Sequence, residues 1–278
     1  MRKVCKGCFW RLIGSARFWA VLIVTALYLD RVISPIRELA LARGLTLTFQ
    51  GFAVYLLNDS TATALMMAAC LALLFDLPCT DELQRYLMLR TGRRRWAGGQ
   101  LLYIACAVTA YLLCALAISA LMLLPCLKWG AGWGGMREIV EEIGYDGFGD
   151  TVGMLYYDVW LPRSYESPAA ALAAELLAHI PAFTLVASIV MCLNLYLSRR
   201  LGYIGAAIPI GLDIMLQEYF GVGVSYVSPL TLCRLSGLDY GDDMGRPPLW
   251  YAAVFLIAAL ALASAVFIRG VRHREVRL

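Results

Sequence analysis

The fold turns on the stretch Asp76-Leu-Pro-Cys-Thr-Asp-Glu-Leu-Gln-Arg-Tyr-Leu-Met-Leu-Arg-Thr-Gly-Arg-Arg-Arg-Trp96. It is polar and strongly basic, and it separates two long apolar runs, residues 52–77 and 97–124. A protein that merely sits in lipid has little use for an ordered polar helix between two spans. A membrane protein driven by a soluble engine needs one, as the surface on which the engine acts. The stretch predicts a helix: Thr80 is placed to cap it, and Asp81 and Glu82 suit its positive first turn. Arg90 and the arginines after it suit the negative end, and Gly92 can close it. Leu83, Tyr86 and Leu87 share one face at i, i+3, i+4 spacing, opposite Gln84 and Met88. Arg93, Arg94 and Arg95 alone would make a simple positive anchor; a capped amphipathic helix ahead of them is more than an anchor requires.

The rest of the chain has the composition of a membrane protein, with 61% hydrophobic and 16% charged residues. A span takes about 20 mostly apolar residues to cross the hydrocarbon core. Six stretches meet or approach that length: 17–35, 52–77, 97–124, 169–197, 203–220 and 249–268. The fifth is interrupted by Pro209, Asp213, Gln217 and Glu218. The alternating segments of about ten residues that build a membrane barrel do not occur. The expected fold is therefore all-α, with six transmembrane helices in one domain over residues 1–278.

Charge gives the expected orientation. Arg2, Lys3, Lys6, Arg11 and Arg17, then Arg85, Arg90 and residues 93–95, then Arg199, Arg200, Arg269, Arg272, Arg274 and Arg277 fall on one side. They make up most of the 24 Lys and Arg residues. Positive residues stay in the cytoplasm, so both termini are expected there. The net charge of +4 is thus a topology signal. No basic patch remains beyond these loops, which argues against a nucleic-acid partner. The opposite side carries a loop over about 128–168 that is rich in Gly, aromatics and acids, including Glu138, Glu141, Glu142, Asp146 and Asp150. A loop that long is usually functional or disordered, and its aromatic density favours a folded cap. Residues 37–50 are expected to form a short helix on the same side. At the N-terminus, Phe9, Trp10, Ile13 and Phe18 against Arg2, Lys6, Arg11 and Arg17 predict an interfacial helix, with no signal-peptide cleavage pattern.

Ionisable residues inside spans are costly and are candidates for function. Glu175, His179, Asp213 and Glu218 qualify as pathway residues, and Glu175 and His179 share a helix face at i, i+4. Asp59 and Asp30 read as outer-boundary residues. Of nine Cys, those in the spans read as small buried hydrophobes, and Cys5-Lys-Gly-Cys8 is a lone pair without a partner motif for zinc. Cys126 and Cys233 could meet and pair at the outer surface. The chain contains no His-Glu-x-x-His, Gly-x-Ser-x-Gly or Walker A pattern, so no catalytic, metal or cofactor site is expected in it.

This layout resembles an ABC-2 type permease, the membrane subunit of an ATP-binding cassette exporter. The resemblance rests on Ser15-Ala-Arg-Phe-Trp19 after the interfacial start, six spans with both ends inside, Asp76-Leu-Pro leading to Arg90-Thr-Gly-Arg-Arg-Arg-Trp96, and Tyr226-Val-Ser-Pro-Leu230 before the last span. It implies that residues 78–93 dock on a separate ATPase, through Pro78, Thr80, Asp81, Glu82, Leu83, Arg85, Tyr86, Leu87, Arg90 and Arg93. It also implies two permease chains over two ATPase subunits that hold the ATP and Mg, in a bacterial plasma membrane. The long aromatic outer loop departs from many relatives. Acids and aromatics together favour an amphipathic cationic peptide or lipid-like cargo. Two other classes compete. An ATPase-independent carrier would show an internal repeat, which is not seen; a membrane scaffold or immunity protein would bind without transport.

Overall fold

A computed structural model of the chain describes residues 1–80, 82–130, 132–145, 161–197, 202, 204–205, 210, 225–239 and 245–273. The side chains of Arg85, residues 141–145 and His273 lie outside that description. So do most of the expected fifth span, Asp81, Asp213, Glu218 and residues 131 and 146–160 of the outer loop. Eleven helices are described: α1 (Arg2–Ile13), α2 (Ala16–Arg43), α3 (Phe49–Asn58), α4 (Ser60–Leu73), α5 (Glu82–Thr91), α6 (Arg93–Leu123), α7 (Gly135–Tyr145), α8 (Leu161–Ser164), α9 (Pro168–Tyr196), α10 (Pro229–Leu232) and α11 (Leu249–His273). Among the described residues there is no strand, only isolated bridges at Leu47. Among the described residues four helices are long and apolar enough to cross a membrane, and α3 with α4 make a fifth candidate if the bent pair is one span.

The second expected span is the main correction. Residues 52–77 do not form one rod: α3 and α4 meet at an angle of 82°. Asp59 makes the break. Its backbone is extended, and its carboxylate accepts from the Ala62 amide at 2.7 Å, capping α4. Asn58 completes it from far along the chain, accepting at Oδ1 from the Ser236 amide at 2.7 Å. Asp59 is accordingly a buried capping residue. The first span differs too. α2 runs through Pro35 to Arg43 and stops at Gly44, whose φ of 66° no side-chain-bearing residue adopts easily. The helix expected over 37–50 is therefore the end of α2 followed by a link and the first turn of α3.

α6 is the central post, packed by α1, α2, α5, α9 and α11. α1 lies against it through Val4, Cys5, Cys8 and Leu12, while Trp10 stays exposed. Burial, with Cys106 close by, pushes the Cys5 thiol up to about 11, so this sulfur packs as an apolar atom. Cys126 and Cys233 are not paired: both are free and buried, and each thiol donates to a local carbonyl, of Leu123 and of Leu230. α9 and α11 form the most extensive pair, and a side chain at Gly270 would collide with Tyr196.

The two ends of the bundle differ. Arg93 Nη1 donates to Arg272 O at 3.3 Å, and Met1 and Val4 touch Gly98 and Gly99. Hence α1, α5, the start of α6 and the end of α11 share one end. There Asp76 is paired with Arg17 at 3.1 Å and Arg11 at 3.9 Å, which fixes the α1–α2 elbow to the loop after α4. At the other end the 46–48 segment threads between residues 126–128 and 134–135. Leu47 N–H donates to Cys126 O and Lys128 N–H to Leu47 O, both at 2.8 Å. Trp133 is buried beneath this link and its indole donates to Tyr165 O at 2.8 Å, so the start of the long loop is folded down.

Gly99 is a sharp test of the α1–α6 contact. A Cβ there would lie 2.6 Å from the Val4 Cβ and 3.0 Å from the Met1 carbonyl, whereas at Gly98 it would meet only the flexible Met1 side chain. Gly99→Leu is expected to cost about 1–3 kcal/mol and to free α1 for proteolysis. Gly98→Ala should change thermal melting little.

Candidate functional site

Two regions carry candidate residues, one on the surface and one buried. The surface region is α5. Its anchor is Trp96, fully buried, whose indole donates to Gln84 Oε1 at 3.2 Å. With Met88, Gln84 turns one face of the helix inward; they are 2% and 8% exposed. Leu83 and Tyr86 lie on the opposite, outer face and are 55% and 59% exposed, and Leu89 is 83% exposed. Leu87 is half-buried. The seating has a physical cause: a buried indole N–H needs an acceptor, and Gln84 is the residue that supplies it.

The described helix begins at Glu82. Gly92 closes α5 as expected, with φ 81° and its amide donating to Met88 O at 2.9 Å. Arg90 sits in the last turn, but Arg93, Arg94 and Arg95 open α6 and do not extend α5. Of the expected contact residues, Glu82, Leu83, Tyr86, Arg90 and Arg93 are exposed, Thr80 is half-buried and Pro78 is buried. Asp81 and the Arg85 side chain lie outside the described residues.

The buried region forms where the α3–α4 break, the α10 hairpin and α9 meet. Glu175 and His179 are brought together here and are wholly shielded from solvent. Their expected link is not side chain to side chain. His179 Nδ1 lies 2.9 Å from the Glu175 carbonyl. A carbonyl only accepts, so Nδ1 carries the hydrogen of that bond. Among the described residues, His179 Nε2, both Glu175 carboxylate oxygens and the Asn58 amide nitrogen have no hydrogen-bond partner. Arg234 faces both Glu175 and His179, and its Nε donates to Leu230 O at 3.1 Å. The backbone of Leu235 lies at the carboxylate and that of Leu57 at the imidazole.

Sequence reasoning found Glu175 and His179 but missed Asn58 and Arg234. Asn58 opens the polar interruption Asn58-Asp59-Ser60-Thr61 in an apolar run, a signal for a helix start but not for what Asn58 meets, and Arg234 sits in a stretch that resembles a loop. An unpartnered carboxylate in a protein interior costs several kcal/mol, and such groups are kept where a site uses them. Broken helices beside buried charge are also where membrane transporters place their sites.

No family model, curated protein or solved structure matches the chain. The fold and the two regions above therefore define a class by themselves: a polytopic helical membrane protein with an exposed apolar helix face at one end and a closed polar junction inside.

Glu175→Gln keeps the size of the side chain and removes its charge. It is expected to raise thermal stability by about 1 kcal/mol or more while lowering function. A variant that melts earlier and functions normally would show the carboxylate to be structural.

Proposed function

We propose that the chain is the permease subunit of a transporter driven by a separate ATP-binding cassette ATPase. It exports an amphipathic peptide or lipid-like compound as part of a two-permease, two-ATPase assembly in a cell membrane. The observation that supports this most is α5. It is ordered, fixed to the bundle by the Gln84–Trp96 bond, and it turns Leu83, Tyr86 and Leu89 outward. The positive charges gathered at this end agree with a cytoplasmic location, where such an ATPase would stand. ATP and Mg belong to that partner, and this chain supplies the docking face and the route.

The α3–α4 break beside Glu175 and His179 favours a second reading, a carrier powered by an ion gradient without an ATPase. The two separate cleanly in vesicles: ATP-dependent accumulation of cargo supports the first, and accumulation driven by a pH or sodium gradient alone supports the second.

Docking gives the more specific test. Leu83→Ser, Tyr86→Ser and Leu89→Ser together should lower co-purification of the neighbouring ATPase by at least about tenfold, as loss of a central apolar anchor set does. Membrane insertion and melting should stay unchanged, since all three side chains face out. Undiminished co-purification with the triple variant contradicts the docking role.

A further inference from the structure

α1 has two faces of opposite character. Val4, Cys5, Cys8 and Leu12 are buried on one side, against α6, and the helix contains no acidic residue. On the other side Lys3, Lys6 and Trp10 follow at i, i+3 and i+7, with Arg2 beside them, and all four are exposed. The start of α6 extends this surface. The Met1 side chain lies against Gly98, and Arg95 and Arg94 precede that glycine by three and four residues, which puts them on the same side of α6. Both arginines are exposed. Asp76 at this end is paired with Arg17 and Arg11, whereas none of Arg2, Lys3, Lys6, Arg94 and Arg95 forms an ion pair among the described residues.

Like charges on one face repel one another, and an anionic surface laid against them relieves that repulsion. Trp10 decides which surface. An indole exposed among cations is at home at the head-group level of a bilayer, with its ring in the apolar edge and its N–H toward water, and a free phosphate would leave the ring uncovered. We propose that the outward face of α1, extended by Arg94 and Arg95, binds the acidic phospholipid head groups of the leaflet at this end of the bundle. An amphipathic helix with a basic face and a tryptophan lies in the interface plane and gathers acidic lipid around its cations. α1 is then held from two sides, by α6 through its buried face and by the leaflet through its charged face. This surface does not involve the outward face of α5 and does not depend on an ATPase.

The test uses the full chain alone, reconstituted in vesicles of phosphatidylcholine and phosphatidylglycerol in equal amounts. One lipid or the other is replaced by a form brominated near the head-group end of its acyl chain, which quenches nearby tryptophan. The Trp10 signal is the difference between each protein and its Trp10→Phe version. Brominated phosphatidylglycerol should quench Trp10 about three-fold more strongly than brominated phosphatidylcholine, and raising the salt from about 0.1 M to about 1 M should weaken that preference. With Arg2→Gln, Lys3→Gln and Lys6→Gln together the two lipids should quench alike. Lys3→Arg with Lys6→Arg should keep the preference, a result that a damaged helix cannot give. Equal quenching by both lipids in the wild type, or a preference that survives the three glutamines, overturns the proposal. Quenching by neither lipid also overturns it, because the face of α1 is then turned to water or covered by protein.

Discussion

Trp96 is the hinge of this structure. It is a fully buried indole at the foot of the central helix α6, and its N–H must find an acceptor out of reach of water. The acceptor is Gln84, in the middle of α5. That one requirement decides how the polar segment between two spans is seated. α5 lies with its amide side inward and its leucines and tyrosine outward, the opposite of what a helix packing by hydrophobicity alone would choose. Gln100, one turn further along α6, repeats the device: its amide oxygen accepts from the Cys79 N–H and its nitrogen reaches Cys79 O. The connection entering α5 and the helix itself are thus both fastened to α6 by buried side-chain amides.

The two regions differ in how they use energy. On α5 the cost is exposed apolar surface, which water tolerates poorly and a partner can cover. At the junction of α3, α9 and α10 the cost is a buried carboxylate and an imidazole Nε2 without a hydrogen-bond partner, with Arg234 facing them, in a place where extended backbone at Asp59 already interrupts a helix. Lipid does not permit interrupted backbone unless protein shields it, and here α9 and the α10 hairpin do so. The Asn58–Ser236 bond closes that shield across 178 residues of chain. A break, a hairpin and an acid therefore depend on one another, and none of the three makes physical sense alone.

Much of this was legible from the sequence. The all-helical membrane class, the helices α2, α6, α9 and α11, the basic segment with its own helix and the Gly92 stop all follow from hydropathy and local backbone rules. Glu175 and His179 stood out because charge in an apolar run is rare. What escaped depends on partners distant in sequence. Residues 52–77 are apolar except for a polar interruption at Asn58-Asp59-Ser60-Thr61, which can cap a helix but does not by itself reveal the bend or the tie from Asn58 to Ser236. Periodicity separated the two faces of α5, but the bond that seats the Gln84 face inward was not legible, because its partner Trp96 lies outside the helix. Pro35 resembles a terminator, yet α2 passes through it: the loss of one amide donor is borne by the surrounding helix in a packed membrane setting. Cys126 and Cys233 lie near chain turns that suggested proximity, and each thiol instead satisfies a carbonyl three residues back.

The central claim is that the outward face of α5 is covered by a nucleotide-hydrolysing partner. The most direct measurement places a photo-reactive amino acid at position 89 in intact cells and, as a control, at position 27, which is exposed on α2. The account predicts that light joins position 89 to an ATP-binding cassette subunit, identified by peptide sequencing, and that position 27 gives no such product. Cross-links from position 89 to lipid alone, or the same products from both positions, would contradict it.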